Sequence, residues 1–252
     1  MTFTLAFIFL VLVFWRPQDW LFPWLFGWPL LDVIAYLSLL SLLLEGQLRR
    51  LQFPRTPAVG LVIGLWIASL MSHVPHTYFQ GILDTMPETF KPCFFMLLLL
   101  VVVTSPGRLR VILGGLVLLC GLMAVHALMQ QRTGAGFAGQ PPIMQFTPEK
   151  GWFSRSLFFG IFEDPNDLAQ MFAAAIPLVF AVPRRMNLAL LGICVMVAGL
   201  FYYALLSTHS RGGMIALLTT GGMMAFLMFP PRWMPFLAGM GLVDFLVFCG
   251  LQ

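Results

Sequence analysis

Two short stretches hold most of the residue types able to do chemistry in this chain. One begins at Arg155 and continues through Phe159-Gly160-Ile161-Phe162-Glu163-Asp164-Pro165-Asn166-Asp167-Leu168-Ala169; the other is Ser207-Thr208-His209-Ser210-Arg211-Gly212-Gly213. In the second, Ser210 can cap a helix beginning at Gly212, which places Arg211 at the positive end of the macrodipole, where a cation is disfavoured unless an anion compensates it. Open backbone N–H groups, two glycines that permit close approach and a guanidinium able to grip phosphate bidentately together describe an anion site. The competing reading is an arginine that snorkels to lipid headgroups or pairs with Glu163 or Asp164. The first stretch is written as a helix start, with Asp164 as N-cap, Pro165 at N1 and Asp167 as an acid at N3. It lacks the glycine and the distant glutamate of a calcium loop, so no metal is expected. His209, two residues from Arg211, is the candidate base. His73 and His76 are separated by Pro75, which breaks helical ligand geometry.

The elements that must position these residues follow from composition. Of 252 residues 60% are hydrophobic and 10% charged, against about 45–50% and about 25% in soluble domains. That balance excludes an ordinary soluble globule and predicts an all-α fold, a polytopic helical membrane bundle of about nine transmembrane helices forming one domain over residues 1–252. The expected spans are Thr2–Phe14, Pro29–Leu44, Pro57–Ser72, Pro92–Thr104, Leu109–Met129, Leu168–Val182, Asn187–Leu206, Gly212–Phe229 and Trp233–Leu251. Uninterrupted apolar runs such as Cys93 to Val103 argue against a barrel, whose strands alternate. The N-terminal run lacks a positive leader and a small-residue cleavage site, and reads as a retained first span.

Threading these spans with the N-terminus in the cytoplasm puts Arg49, Arg50, Arg55, Arg108, Arg110, Arg184, Arg185 and Arg232 on the inner side with Glu45 as the only loop acid. The outer side is balanced, and four consecutive short inner turns are basic, which is the positive-inside pattern. The one long polar loop, residues 130–167, then faces outward. Trp15, Trp20, Trp24 and Trp28 read as an interfacial anchor, and Gly60, Gly64 and Ala68 as a small-residue face for close helix packing. Cys93, Cys120, Cys194 and Cys249 stand far apart in apolar runs and form no disulfide framework or thiolate site. The basic residues are scattered rather than gathered in a stripe, so no nucleic-acid partner is expected. His126 and Asp244 are ionisable groups within spans.

The pair G-I-F-E-D-P-N-D-L-A (Gly160–Ala169) and T-H-S-R-G-G (Thr208–Gly213), each preceding a span, resembles the O-antigen ligase and O-antigen polymerase superfamily of bacterial inner membranes. The likeness lies mainly within residues 150–230. It implies a multi-pass inner-membrane protein of lipopolysaccharide biosynthesis that transfers a glycan from an undecaprenyl-diphosphate carrier to an acceptor hydroxyl at the periplasmic face, without a cofactor. Arg211 and Arg155 match the family's diphosphate-holding arginines, and Asn166 matches the asparagine of its F-x-D-P-N element. With Asp164, Ser210, Gly212 and Gly213 as flanking substrate-binding candidates, the implied partners are a lipid-linked glycan donor and membrane lipids. The family's base is a histidine in a later periplasmic loop that these 252 residues do not contain. The chain therefore reads as a fragment, half of a split enzyme, or a homologue without catalysis, with His209 as substitute base in the remaining case. A different class of reading is a non-catalytic structural subunit of a membrane protein complex. A transporter ranks lowest, because the charge gathers at one membrane edge rather than at the midplane.

Overall fold

The computed structural model describes residues 1–25, 27–46, 57–148 and 151–228, with Pro230, Gly239, Gly241, Val243, Asp244 and Leu246 beyond them. The chain is mostly helical. Its elements are α1 (Thr2–Phe14), α2 (Pro17–Trp20), α3 (Leu30–Leu44), α4 (Pro57–Met71), α5 (Phe79–Val102), α6 (Pro106–Thr133), β1 (Ile143–Thr147), β2 (Gly151–Arg155), α7 (Pro165–Ala181), α8 (Leu188–Leu206) and α9 (Arg211–Met228).

Among the described residues two helices, α6 and α8, are long and apolar enough to cross a membrane, and α5 is a third if its halves Phe79–Pro87 and Thr89–Val102 form one span. Nine such helices were expected. Thr2–Phe14, Leu30–Leu44 and Pro57–Met71 are apolar but shorter. The reason is length: the 13 residues of α1 rise about 20 Å, short of a hydrocarbon core of about 30 Å. The ninth expected span, Trp233–Leu251, lies largely outside the described residues, as do Arg49, Arg50, Arg55 and Arg232.

The chain packs as two compact units, one of Met1–Leu12 with Trp28–Leu109 and the other of Val13–Gly27 with Arg110–Gln252. In the first, the buried core is small: Ala6, Leu42, Leu98 and Val102. Phe9 stacks obliquely on Phe95 at 4.9 Å between ring centroids. A polar knot closes one end, where Thr2 and Ser41 hydroxyls meet at 2.7 Å and Glu45 Oε1 accepts from the Thr2 amide and pairs with the N-terminal ammonium at 2.8 Å. These contacts hold the Glu45 carboxyl down to about 2. Lys91 pairs with Asp32 at 2.9 Å. A Cβ built on Gly60 or Gly64 meets nothing within 4 Å. The small-residue face expected there therefore makes no close helix approach among the described residues.

The second unit has the larger core, with Phe158, Phe172, Phe201, Leu168, Leu205, Met123 and Met214 fully buried. Close approach occurs here instead. A Cβ on Gly213 of α9 would lie 2.4 Å from Ala169 Cβ of α7, and that atom is fixed to its backbone, so glycine is what lets the two helices meet. Asp164 Oδ1 accepts from Asn166 N at 2.7 Å and Pro165 opens α7, the helix start its sequence spells. Asn187 Oδ1 likewise caps α8 through the Leu190 amide at 2.8 Å.

Between α6 and α7, where the sequence predicts a long polar loop, the chain forms an antiparallel hairpin. Ile143 lies opposite Arg155, Gln145 opposite Phe153, and Phe146 opposite Trp152. Asp244, read from the sequence as an ionisable group within a span, accepts a 2.7 Å hydrogen bond from the Tyr202 hydroxyl.

Candidate functional site

The site is assembled at the end of the second unit where α6 and α8 finish and α7 and α9 begin. Arg155, the last residue of β2, directs each of its three nitrogens to a different element. Nε donates to the Thr208 carbonyl at 2.7 Å, Nη1 to Gln145 Oε1 of β1 at 3.0 Å, and Nη2 to Asn166 Oδ1 of α7 at 3.0 Å. The same Asn166 oxygen accepts from the Ser210 hydroxyl at 2.8 Å. Ser210 Oγ in turn accepts from Gly213 N at 3.0 Å, so it caps α9, whose first residue is Arg211. Asn166 is thus the joint between the two motifs: one oxygen serves the arginine of the first and the capping serine of the second.

The hairpin is tied down from below by two adjacent glutamines at the end of α6. Gln130 Oε1 accepts from Leu157 N at 3.1 Å. Gln131 Nε2 donates to Ser156 Oγ at 3.0 Å and to the Ser207 carbonyl at 3.3 Å, and its Oε1 accepts from Ser154. Ser156 N also donates to the Ser207 carbonyl at 3.0 Å. Residues 154–156 are in this way stitched to the α8–α9 connection through backbone as well as side chains.

The electrostatics are uneven. All three acceptors around Arg155 are neutral oxygens, and among the described residues no carboxylate forms an ion pair with it. Burial pushes its pKa down, and the charge of Asp164 opposes that. A guanidinium remains charged under any such shift, so a cation stays half-buried with Asp164 as the nearby charge that favours it. Three of its five N–H groups are engaged within the chain. Arg211 and Gly212 are exposed at the head of α9. Gly213, a candidate substrate-binding residue, has its N–H engaged by Ser210 and packs on Ala169; it acts in close packing rather than as an anion donor. Asp164 is occupied as the N-cap of α7.

His209, the candidate base, adopts a left-handed backbone with φ 50° and sets its ring edge-on to Phe153 at 5.2 Å. His126 is fully buried in α6, where its Nδ1 accepts from the Phe137 amide at 3.0 Å and its ring meets Phe158 edge-on at 4.9 Å. That accepted bond fixes a neutral tautomer with the proton on Nε2, and the role is packing. His73 Nε2 shares a 2.9 Å hydrogen bond with Thr85, and among the described residues no three His, Cys, Asp or Glu side chains gather as a metal site.

The arrangement brings together Arg155, Asn166, Asp164, Ser210 and Gly213 and seats Arg211 beside them. Sequence reasoning missed Gln145, Gln130 and Gln131, and named Thr208 only as part of its motif. Two consecutive glutamines closing an apolar run were a readable signal; Thr208 acts through its carbonyl, and Gln145 matters only through its strand register. No protein-family model, curated protein or solved structure matches this chain.

Proposed function

We propose that this chain is a polytopic helical membrane protein, its N-terminus cytoplasmic, whose α6–α7 loop and α8–α9 connection form an outward-facing site for a lipid-linked diphosphate. In that reading the protein takes part in glycan transfer from an undecaprenyl-diphosphate carrier at the bacterial inner membrane. The observation that carries it is the Arg155–Asn166–Ser210 chain of hydrogen bonds, which joins two sequence-distant motifs and links a half-buried guanidinium to the helix start that bears Arg211. Cleaving a sugar–diphosphate bond builds negative charge on the leaving group, and fixed cations with open N–H groups stabilise that charge.

A second reading rests on the same guanidinium. Three of its N–H groups are committed to oxygens of this chain, as they would be in a structural clasp. A non-catalytic subunit with a headgroup clamp fits that arrangement.

Binding of undecaprenyl diphosphate to the purified chain in nanodiscs separates the two. Arg211→Lys keeps the charge but loses the planar fork, and a lost charge-assisted pair of about 1.5–3 kcal/mol weakens binding roughly tenfold to a hundredfold. Equal binding by wild type, Arg211→Lys and Arg211→Ala would leave the structural reading alone. Glycan transfer by the isolated chain, abolished by His209→Ala, would assign the base. Orientation is checked separately: a cysteine placed at Arg185 stays protected from an impermeant reagent in the periplasm.

A further inference from the structure

The two faces of the hairpin differ in kind. Strand residues alternate and directly opposed residues share a face, so the register puts Ile143, Gln145, Phe153 and Arg155 on one side and Met144, Phe146, Trp152 and Ser154 on the other. The first side carries the site. On the second, Ser154 is held by Gln131, while Trp152 is 68%, Phe146 55% and Met144 55% accessible, with the Phe146 and Trp152 rings paired at 5.5 Å across the strands. Among the described residues no charged side chain belongs to that second face. Three large apolar side chains in a row on one face of a two-stranded ribbon need a cover, because such a ribbon has no core of its own.

What covers them follows from where the hairpin is held. Its bonds go to Gln131 at the end of α6, to Asn166 in the first turn of α7, to residues 207 and 208 just past α8, and through Asn166 to Ser210 before α9. Four helix ends therefore lie at its level. Two of those helices are α6 and α8, the pair long and apolar enough to span a bilayer, and their outward residues are apolar too, as at Met129 near the end of α6 and Met196 along α8. The hairpin's level is then the level at which a bilayer ends. Tryptophan, phenylalanine and methionine on a neutral surface are suited to the headgroup–acyl boundary.

We propose that the β1–β2 hairpin is an interfacial wedge that seats Met144, Phe146 and Trp152 in the outer leaflet and so holds Arg155, on its opposite face, at headgroup depth. The inference rests on the membrane reading above and adds to it a lipid-contact element and the depth of the site. A lipid-borne phosphate then meets Arg155 without leaving the membrane, while a free phosphate in water must reach it around the wedge.

Nitroxide labels test the depth directly. Phe146→Cys and Met144→Cys are each made in the 252-residue chain carrying Cys93→Ser and Cys249→Ser, labelled, and placed in nanodiscs of phosphatidylethanolamine and phosphatidylglycerol. Collision with oxygen, which concentrates in lipid, is compared with collision with a water-soluble nickel chelate. Met196→Cys on α8 is the membrane reference. The wedge predicts that oxygen outcollides the chelate several-fold at residues 144 and 146 as well as at 196. Chelate dominance at 144 and 146 with oxygen dominance at 196 overturns the wedge and leaves the membrane reading standing. Chelate dominance at all three overturns the membrane reading itself. Shielding of 144 and 146 from both reagents would show a protein cover instead and overturns the wedge. Phe146→Ser, which needs no label, should lower affinity for a lipid-borne diphosphate several-fold while leaving inorganic pyrophosphate unaffected; an equal loss for both overturns the coupling of wedge to site.

Discussion

The two units use their few polar groups differently. In the unit of Met1–Leu12 and Trp28–Leu109 they sit in isolated pairs: the knot of Thr2, Ser41 and Glu45, and the exposed pair of Lys91 with Asp32. In the unit of Val13–Gly27 and Arg110–Gln252 they form one connected set that runs from Gln131 through Ser154, Ser156 and Arg155 to Asn166, Ser210 and α9. An exposed ion pair such as Lys91 with Asp32 contributes little to stability, because solvent competes for it. A connected set in partly buried surroundings fixes the geometry of several elements at once. Helix packing shows the same contrast, open at Gly60 and Gly64 and close at Gly213. The lesson is that in a chain this apolar, connectivity among polar residues marks a site better than their number does.

Helix packing offers the hardest test of that contrast. Gly213→Ala forces the added methyl against Ala169 and is expected to destabilise the chain by about 1–3 kcal/mol. Gly60→Ala meets open space and should be neutral, or stabilising by up to about 1 kcal/mol through helix propensity. Thermal unfolding in detergent reports both, and equal shifts would erase the difference.

Cutting the joint comes next. Asn166→Ala removes the acceptor shared by Arg155 and Ser210, a loss of about 1–2 kcal/mol at so exposed a position, whereas Lys91→Ala in the other unit should cost about 0–1 kcal/mol. Asn166→Asp sharpens the reading of the site. It keeps the acceptor and sets a carboxylate against the Arg155 guanidinium, so stability should hold while diphosphate affinity falls. Unchanged affinity would mean that Arg155 is only a clasp.

The smallest effect is a pH dependence in the first unit. Glu45 has its carboxyl depressed from 4.5 to about 2, first by the N-terminal ammonium and then by Thr2. A depressed acid stabilises the folded state above its unfolded value and loses that contribution as pH falls from about 4.5 toward about 2. Protection of the Thr2 amide, taken against its intrinsic exchange rate at each pH, should therefore fall on acidification across that window, and Glu45→Gln should remove the dependence.

What could be read from the sequence divides along the same line. The starts of α7 and α8 were legible because Asp164 and Asn187 act on amides two or three residues away, a local rule that the sequence carries in plain order. The first half of α5 was not: Asp84, Pro87, Glu88 and Pro92 look like breakers, yet the helix runs through both prolines. The hairpin was missed because its two five-residue strands lie in a polar, proline-bearing loop and give too short a period to separate from chance. Arg155, Asn166 and Ser210 could be named one by one as polar residues near helix starts. That one carboxamide oxygen joins them depends on register and on a backbone carbonyl at Thr208, neither of which has a residue-type signature.

The bond from Arg155 to Thr208 spans 53 positions of sequence, and that separation orders events in time. Until the chain has been made as far as Thr208 and Ser210, the hairpin has neither the carbonyl nor the capping serine to close upon. Loop closure over such a distance also carries an entropic cost that strand pairing alone does not repay. During synthesis the exposed Phe146 and Trp152 therefore wait, unlatched, while α7 and α8 are laid down. A chaperone or the lipid itself has that interval in which to shield them, and slowing elongation between codons 156 and 210 would lengthen the stage at which this protein is most prone to aggregate.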